Sequence, residues 1–335
     1  MSVDNRAEWR LGRVVESVPV ARDIRRITIE RPGAAAGRAR PGTHLDVRVR
    51  LDGREDLRSY SVVESDEGGR RLTISVLRVP ESRGGSVFMH GLQVGDELMT
   101  TQPLQNFPLR VGAIRYVLVA GGVGITALVA MARVLRELKA DYTLVYVGRS
   151  REQMAYLASL AELHGDRLEV HVDDEGTSLD VTALAAGVAA DPRGPGTEMY
   201  VCGPIRLMDG VRRAWADEQL PPANLRFETF GSSGWFDAEE FVVRVPQLGV
   251  ETTVGSDSTM LEALTAAGAD LMYDCRKGEC GLCRVDIGAV DGVIDHRDVF
   301  LSGRQKQRDD AVCICVSRVV SGPDGRPPTL TLTLP

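Results

Sequence analysis

The sequence predicts a multi-domain protein of three parts: a small antiparallel β-barrel, an α/β doubly wound domain, and a C-terminal domain built around a cysteine loop. Three observations carry this expectation. Up to about residue 108 the chain alternates apolar and polar residues in short runs cut by glycine and proline. From Arg115 it turns to continuous apolar strands alternating with helical patterns. Between Tyr273 and Val285 three of the six cysteines, Cys275, Cys280 and Cys283, fall in the spacing C-x4-C-x2-C. The boundaries drawn from these changes are 1–110, 111–230, a linker at 231–240, and 241–335.

Bulk properties narrow the function classes. A chain of 335 residues holds two or three domains, and 43% apolar with 26% charged residues is ordinary globular composition. A net charge of −7 argues against nucleic acid or an acidic membrane as partner. No apolar run approaches the roughly 18 residues of a membrane span. The start, Met1-Ser2-Val3-Asp4-Asn5, lacks a signal pattern. The cysteines crowd like metal ligands, which suits a reducing compartment better than a disulfide framework. The expectation is a cytoplasmic monomer.

In the first domain, strands are expected at Trp9 to Val18, Asp23 to Glu30, His44 to Leu51, Arg58 to Val63 and Arg71 to Val79. Val94-Gly95-Asp96-Glu97-Leu98 reads as a turn into a late strand. Two short motifs bear chemistry. In Arg58-Ser59-Tyr60-Ser61 an arginine can grip a phosphate through two bonds, and a tyrosine two residues on shares its strand face and can cover a flat ring. In Arg83-Gly84-Gly85-Ser86 the glycines free backbone N–H groups to cradle an anion. His44 reads as a hydrogen-bonded barrel residue rather than a catalytic one.

The second domain opens with the buried strand Tyr116 to Ala120, the turn Gly121-Gly122-Val123-Gly124-Ile125-Thr126, and a helix from Ala127 to Leu138. Strand, glycine turn and helix aim helix N–H groups at a pyrophosphate. The turn is not a G-x-G-x-x-G fingerprint. Further α/β alternation follows: a strand at Thr143 to Val147, Gly148-Arg149-Ser150-Arg151 opening a helix at about Gln153 to Leu163, a strand at Leu168 to Val172, and a helix at Asp180 to Ala190. The strand Glu198 to Val201 then ends in Cys202-Gly203-Pro204, before a helix at Ile205 to Asp217. Arg149 and Arg151 stand where arginines can hold the 2′-phosphate of NADPH.

In the third domain a hairpin is expected at Phe241 to Val245 and Gly249 to Val254, and a helix at Ser258 to Ala267 capped by Ser258 or Thr259. Strands follow at Arg284 to Ile287, Ala311 to Val320 and Thr329 to Leu334. The cysteine spacing is that of a plant-type [2Fe–2S] site, which needs a fourth ligand further on. A zinc knuckle is the alternative, but zinc sites favour paired C-x2-C units. Gly278 and Gly281 lie where the chain must turn tightly around sulfur. Cys313 and Cys315 are both candidates for the fourth ligand, and on one continuous strand they would face the same side.

Taken together the motifs resemble those of the ferredoxin–NADP reductase superfamily. The order barrel, nucleotide domain, then C-terminal ferredoxin resembles the phthalate dioxygenase reductase family, including vanillate O-demethylase reductases. Ala127 stands where that pattern usually has proline. The resemblance implies a flavin barrel, a nicotinamide domain and a β-grasp [2Fe–2S] domain, with FMN and NADH. It implies that Arg58 and Ser86 hold the FMN phosphate and that Tyr60 and Ser61 meet the ring and ribityl chain. Ser59, Ser75, Val76, Leu77, Gly84 and Gly85 complete that site.

Gly121, Gly122, Gly124, Thr126, Arg149, Ser150, Gly203 and Pro204 are assigned to the nucleotide. Cys202 borders the nicotinamide and Phe230 stacks on the flavin, these two being the catalytic candidates. The family's Cys-x-Ser-Arg pattern matches Cys315-Val316-Ser317-Arg318, so Cys315 completes the set with Cys275, Cys280 and Cys283. That register requires two extra residues in a hairpin at 288–292. The implied function is electron transfer from NADH through FMN and [2Fe–2S] to a terminal oxygenase of Rieske type. The alternatives are a cytochrome P450 as acceptor, or a redox-sensing protein without turnover.

Overall fold

The computed structural model describes residues 7–33, 37–51, 53–79, 84–230, 234–323 and 325–334. Arg83 and residues 231–233, the start of the expected linker at 231–240, lie outside them. Two compact units are formed: Met1–Gly203 with Ala214–Glu228, and Pro204–Arg213 with Thr229–Pro335.

The first unit begins with β1 (Trp9–Ala21), β2 (Ile24–Glu30), β3 (Thr43–Leu51), β4 (Arg54–Ser65), β5 (Arg71–Leu77), α1 (Gly85–Gly91), β6 (Glu97–Thr101) and β7 (Leu104–Gln105). The strand order is β4-β5-β2-β1-β6-β3-β7, and β3 also pairs with β4. That second pairing closes six strands into an antiparallel barrel, which leaves few open edges. Alternation puts Ile27 and Ile29 of β2, Val47 and Val49 of β3, and Leu72 and Ile74 of β5 into one core.

Next come β8 (Arg115–Gly121), α2 (Ile125–Glu137), β9 (Tyr142–Gly148), α3 (Leu157–His164), β10 (Leu168–Val172), α4 (Val181–Ala190), β11 (Thr197–Cys202), α5 (Ile205–Asp217) and β12 (Leu225–Glu228). The sheet is fully parallel in the order β10-β9-β8-β11-β12. The order reverses between β8 and β11, the switch point where doubly wound sheets bind ligands. The helix expected at Gln153 to Leu163 starts late. A short 3-10 turn at Arg151–Gln153 comes first, and Tyr156 takes φ 64° before α3 begins. A tyrosine tolerates that backbone only under tertiary constraint, and its hydroxyl lies 2.5 Å from Ser75 Oγ on β5.

The second unit contains β13 (Phe241–Val245), β14 (Val250–Val254), α6 (Met260–Ala266), β15 (Arg284–Asp291), β16 (Val293–Asp295), α7 (Gly303–Arg308), β17 (Ala311–Cys313), β18 (Arg318–Val320) and β19 (Thr329–Thr333). The main sheet runs β14-β13-β19-β15-β17, with β13 and β19 parallel. Met260, Leu261 and Leu264 of α6 share its core, which is the β-grasp arrangement. Thr259 caps α6 in a reciprocal pair with Glu262.

Two expectations fail here. The strand Ala311 to Val320 is broken into β17, which pairs with β15, and β18, which pairs with β16. The residues 288–292 do not form a hairpin: β15 continues to Asp291 across an irregularity between Ile287 and Ala289, and Gly292 at φ 129° turns the chain into β16. Among the described residues no helix is long and apolar enough to cross a membrane.

Gly42, between Arg40 and β3, has φ 76°, and a Cβ there would sit 1.7 Å from the Phe107 carbonyl oxygen. Gly42→Ala therefore meets both backbone strain and a fixed neighbour. We expect it to destabilise the first unit by roughly 2–4 kcal/mol, read as a lowered denaturant midpoint. An unchanged midpoint would show that the turn relaxes freely.

Candidate functional site

On β4, successive side chains point to opposite sides. Ser59 Oγ donates to Asp46 Oδ1 at 2.6 Å. Ser61 Oγ donates to Glu228 Oε2 at 3.2 Å, and both residues are buried. Tyr60 packs against the barrel core, where burial pushes its hydroxyl pKa up against the pull of Arg58. Arg58 pairs with Asp56 at 2.7 Å through Nη1. Its Nη2 is buried and has no hydrogen-bond partner among the described residues.

Arg58 also lies across the start of α1, since a Cβ on Gly85 would be 2.5 Å from its Nε. Gly84 is left-handed at φ 82°. Ser86 Oγ accepts from Val79 N–H at 3.0 Å. An unsatisfied guanidinium nitrogen beside a helix start and a glycine pair suits a phosphate.

On β5, Val76 is buried, its carbonyl accepts from His90 Nε2 at 2.8 Å, and Leu77 is exposed. The Ser75 side chain is turned to Tyr156, a partner its motif did not reveal.

The nucleotide turn leaves β8 at Gly121 and coils through Gly122–Gly124 into α2. A Cβ on Gly124 would stand 2.1 Å from the carbonyl oxygen of Cys202. Only glycine lets α2 and the end of β11 come this close. Among the described residues nothing lies within 4 Å of a Cβ added to Gly122, at φ 53°, so space is open there. Thr126 is buried and donates to the Val123 carbonyl at 2.9 Å, fixing the turn itself.

Cys202 is fully buried, and on the neighbouring strand Glu228 stands beside it in register. Glu228 thus joins Cys202 to Ser61. Its only sequence signal is the acidic position preceding the aromatic in Arg226 to Gly231. Gly203 ends the strand, and Pro204 accepts from Leu207 and Met208 N–H to start α5. Phe230 is half-buried, two residues beyond β12. Arg149 and Ser150 follow β9, and the Arg149 carbonyl accepts from Asp174 N–H at 3.0 Å.

The cysteine loop is a backbone cradle. The N–H groups of Lys277, Glu279 and Cys280 all point at Cys275 Sγ from 3.4 Å. Arg276 at φ 53°, Gly278 at 75° and Gly281 at 74° supply the turns. Both glycines are also needed for space. A Cβ on Gly278 would meet Val316 at 2.7 Å, and one on Gly281 would meet the Phe300 ring at 2.3 Å.

Cys313 ends β17 opposite Arg284 of β15, whereas Cys315 lies in the turn between β17 and β18. They are therefore not equivalent positions of one strand. Cys283, Cys313 and Cys315 are all buried in one core. The neighbouring thiols Cys313 and Cys315 hold Cys275 and Cys283 well below the usual thiol range and are themselves pushed above it. Converging sulfurs of this kind cannot all ionise unless cationic iron shares the pocket, so the donor set fits a cluster.

Glu279 was not anticipated, and nothing in its pattern marks it. Its carboxylate accepts the Thr229 N–H at 2.7 Å. Burial raises its pKa, partly offset by that bond.

Comparison with known proteins finds two domain matches in this chain. Residues 118–213 match the oxidoreductase NAD-binding domain, and residues 243–320 match the 2Fe-2S iron-sulfur cluster binding domain. The phenoxybenzoate dioxygenase subunit beta of Ectopseudomonas oleovorans is 37% identical over 82% of this chain and 83% of its own length. The phthalate 4,5-dioxygenase oxygenase reductase subunit of Pseudomonas putida is 32% identical over 91% of this chain and 93% of its own. Among solved structures, phthalate dioxygenase reductase superposes with a TM-score of 0.69 at 28% identity, covering 97% of this chain and 98% of that one. An intact type IV self-sufficient cytochrome P450 monooxygenase gives 0.63 at 34% identity; 97% of this chain is covered, but only 41% of that longer one.

The separation of Cys313 from Cys315 sets up a direct test. Cys315→Ser should lose the iron and the visible absorbance of the cluster, and Cys313→Ser should keep both. Iron content and absorbance of the two purified variants decide it, with circular dichroism checking that each is folded. Loss confined to Cys313→Ser would reverse the assignment.

Proposed function

The chain belongs to the phthalate dioxygenase reductase family, and from that premise we propose how its residues do the work of an oxygenase reductase. It is an NADH-dependent oxidoreductase with FMN and a [2Fe–2S] cluster, the reductase component of an oxygenase system. Flavin, when bound, accepts the two electrons of a hydride together and releases them one at a time, as a one-electron cluster requires. The observation that carries the reading is the Arg58 cradle: a buried guanidinium nitrogen without a partner among the described residues, against the start of α1.

Arg58 and the N–H groups at Gly84, Gly85 and Ser86 hold the flavin phosphate. Tyr60 covers the ring, with Ser59, Val76 and Leu77 framing it and the Ser75 backbone beside them. Glu228 orients the Ser61 hydroxyl and, with Cys202, walls off the position where the nicotinamide is held. Gly121, Gly122 and Gly124 let the pyrophosphate approach the backbone, and Thr126 keeps that turn in shape. Arg149, Ser150, Gly203 and Pro204 border the rest of the nucleotide. Phe230 covers the flavin face until nicotinamide arrives. Cys275, Cys280, Cys283 and Cys315 ligate the iron. These roles divide the chain into flavin (1–110), nucleotide (111–230), linker (231–240) and ferredoxin (241–335) segments.

The electron acceptor is an oxygen-activating partner. A ring-hydroxylating terminal oxygenase of Rieske type is supported by the dioxygenase relatives, and a cytochrome P450 by the fused P450 structure. Four cluster thiolates and a need for NADH favour the cytoplasm, and we take the chain to act as a monomer.

Stopped-flow mixing with NADH should bleach the flavin and then the cluster, with cytochrome c reduced in steady state. The flavin released on denaturation should have the mass of FMN. Arg58→Ala should lower flavin retention about tenfold or more. Ser61→Ala should keep its flavin but slow its reduction by NADH about tenfold. Unaltered flavin affinity in Arg58→Ala would sink the phosphate assignment.

A further inference from the structure

Arginines after the second strand of a doubly wound sheet ordinarily suggest a 2′-phosphate pocket. Arg149 and Arg151 stand there, at the end of β9. The structure gives Arg151 a partner that the sequence hides. Its Nε and Nη2 donate to the two carboxylate oxygens of Glu175, at 2.6 and 2.8 Å. This is the two-pronged geometry a phosphate would otherwise receive.

Glu175 is placed by the segment after β10, a short 3-10 turn at Asp173–Glu175 that ends on Gly176 at φ 73°. Asp174 N–H bonds to the Arg149 carbonyl at 3.0 Å, and Ser178 Oγ donates to Asp173 Oδ1 at 2.7 Å. The acidic turn is thus fastened to the very loop that carries the arginines. The Arg151 bond keeps the Glu175 pKa below its usual value, so the pair is ionised at neutral pH.

The adenosine end of the dinucleotide belongs on this side of the sheet. The pyrophosphate turn follows β8, and Cys202, on the nicotinamide side, ends β11. With the order β10-β9-β8-β11-β12, the remaining half of the ligand lies over the ends of β9 and β10.

We propose that Glu175 is a specificity-determining residue: by occupying Arg151 and adding its own negative charge, it rejects the 2′-phosphate of NADPH and leaves NADH as the accepted nucleotide. A 2′-phosphate entering here must displace a carboxylate already matched to the guanidinium, and it approaches Asp173 and Asp174 as well. The 2′-hydroxyl of NADH carries no charge and meets neither obstacle. The inference rests on the reading of the chain as an NADH-dependent reductase.

The test compares ADP-ribose with its 2′-phosphate, two ligands that differ only at the group in question. Calorimetric titration of the flavin- and cluster-loaded enzyme should show Glu175→Ala binding the 2′-phosphate form about tenfold more tightly than the parent does. Its affinity for ADP-ribose should change far less. The ratio of kcat/KM for NADPH over NADH should rise in parallel. Adding Arg151→Ala to Glu175→Ala should abolish the gain. No gain in Glu175→Ala, an equal gain for ADP-ribose, or a gain that survives removal of Arg151 would each overturn the proposal. Because both ligands are non-reducible, the binding result stands apart from electron transfer. Failure of NADH to reduce the parent enzyme would instead refute the functional reading.

Discussion

The first unit depends on a close backbone approach at the carboxyl edge of its parallel sheet. The turn after β8 and the end of β11 meet at Gly124 and Cys202, with no room for a side chain between them. Fully parallel strands all finish at the same edge, so whatever ends one strand lies beside whatever ends the next. Cys202 therefore stands next to Glu228, and Glu228 reaches Ser61 on the barrel. Four residues far apart in the chain come together because one glycine allows two backbones to touch. The doubly wound order then divides the edge, with Cys202 and Glu228 on the β11 side of β8 and Arg149, Arg151 and Glu175 on the β9 side.

The second unit follows a different constraint. A sulfur that is to carry negative charge needs N–H donors, and a loop presents three of them to one atom only by alternating its backbone handedness. Arg276, Gly278 and Gly281 do this at positive φ. The strain at Arg276 is set against a contact of its guanidinium with the Tyr273 ring, 4.7 Å from the centroid. Val316 and Phe300 press on the two glycines from outside. The loop is therefore held in shape by the domain as well as by whatever it binds.

Most strands and helices were legible in the sequence because they answer to local periodicity. β10 and α5 fall on the residues the pattern picks out, and the helix expected at Asp180 to Ala190 is α4, with Asp180 as its cap. The motifs were legible too, since glycine spacing and cysteine spacing are covalent facts. What escaped depends on partners distant in the chain. Tyr156 leaves helical geometry for a hydroxyl contact with Ser75 across the first unit. The run Ala311 to Val320 reads as one strand, yet it breaks because its halves pair with different neighbours. Glu279 bonds to Thr229, fifty residues away in the chain, and no local pattern encodes that.

Charged residues show the limit most clearly. Arg149 and Arg151 look alike on the page, two cations after a strand, and either could be read as a phosphate grip. Their chemistry is fixed by what faces them. Arg58 keeps a buried nitrogen without a partner among the described residues. Arg151 is already matched, oxygen for nitrogen, by Glu175 from the next strand's loop. A guanidinium recruits a phosphate only when its donors are unspent. The same residue type thus offers a buried open donor in the barrel and a matched ion pair in the nucleotide domain, and only the tertiary pairing tells them apart.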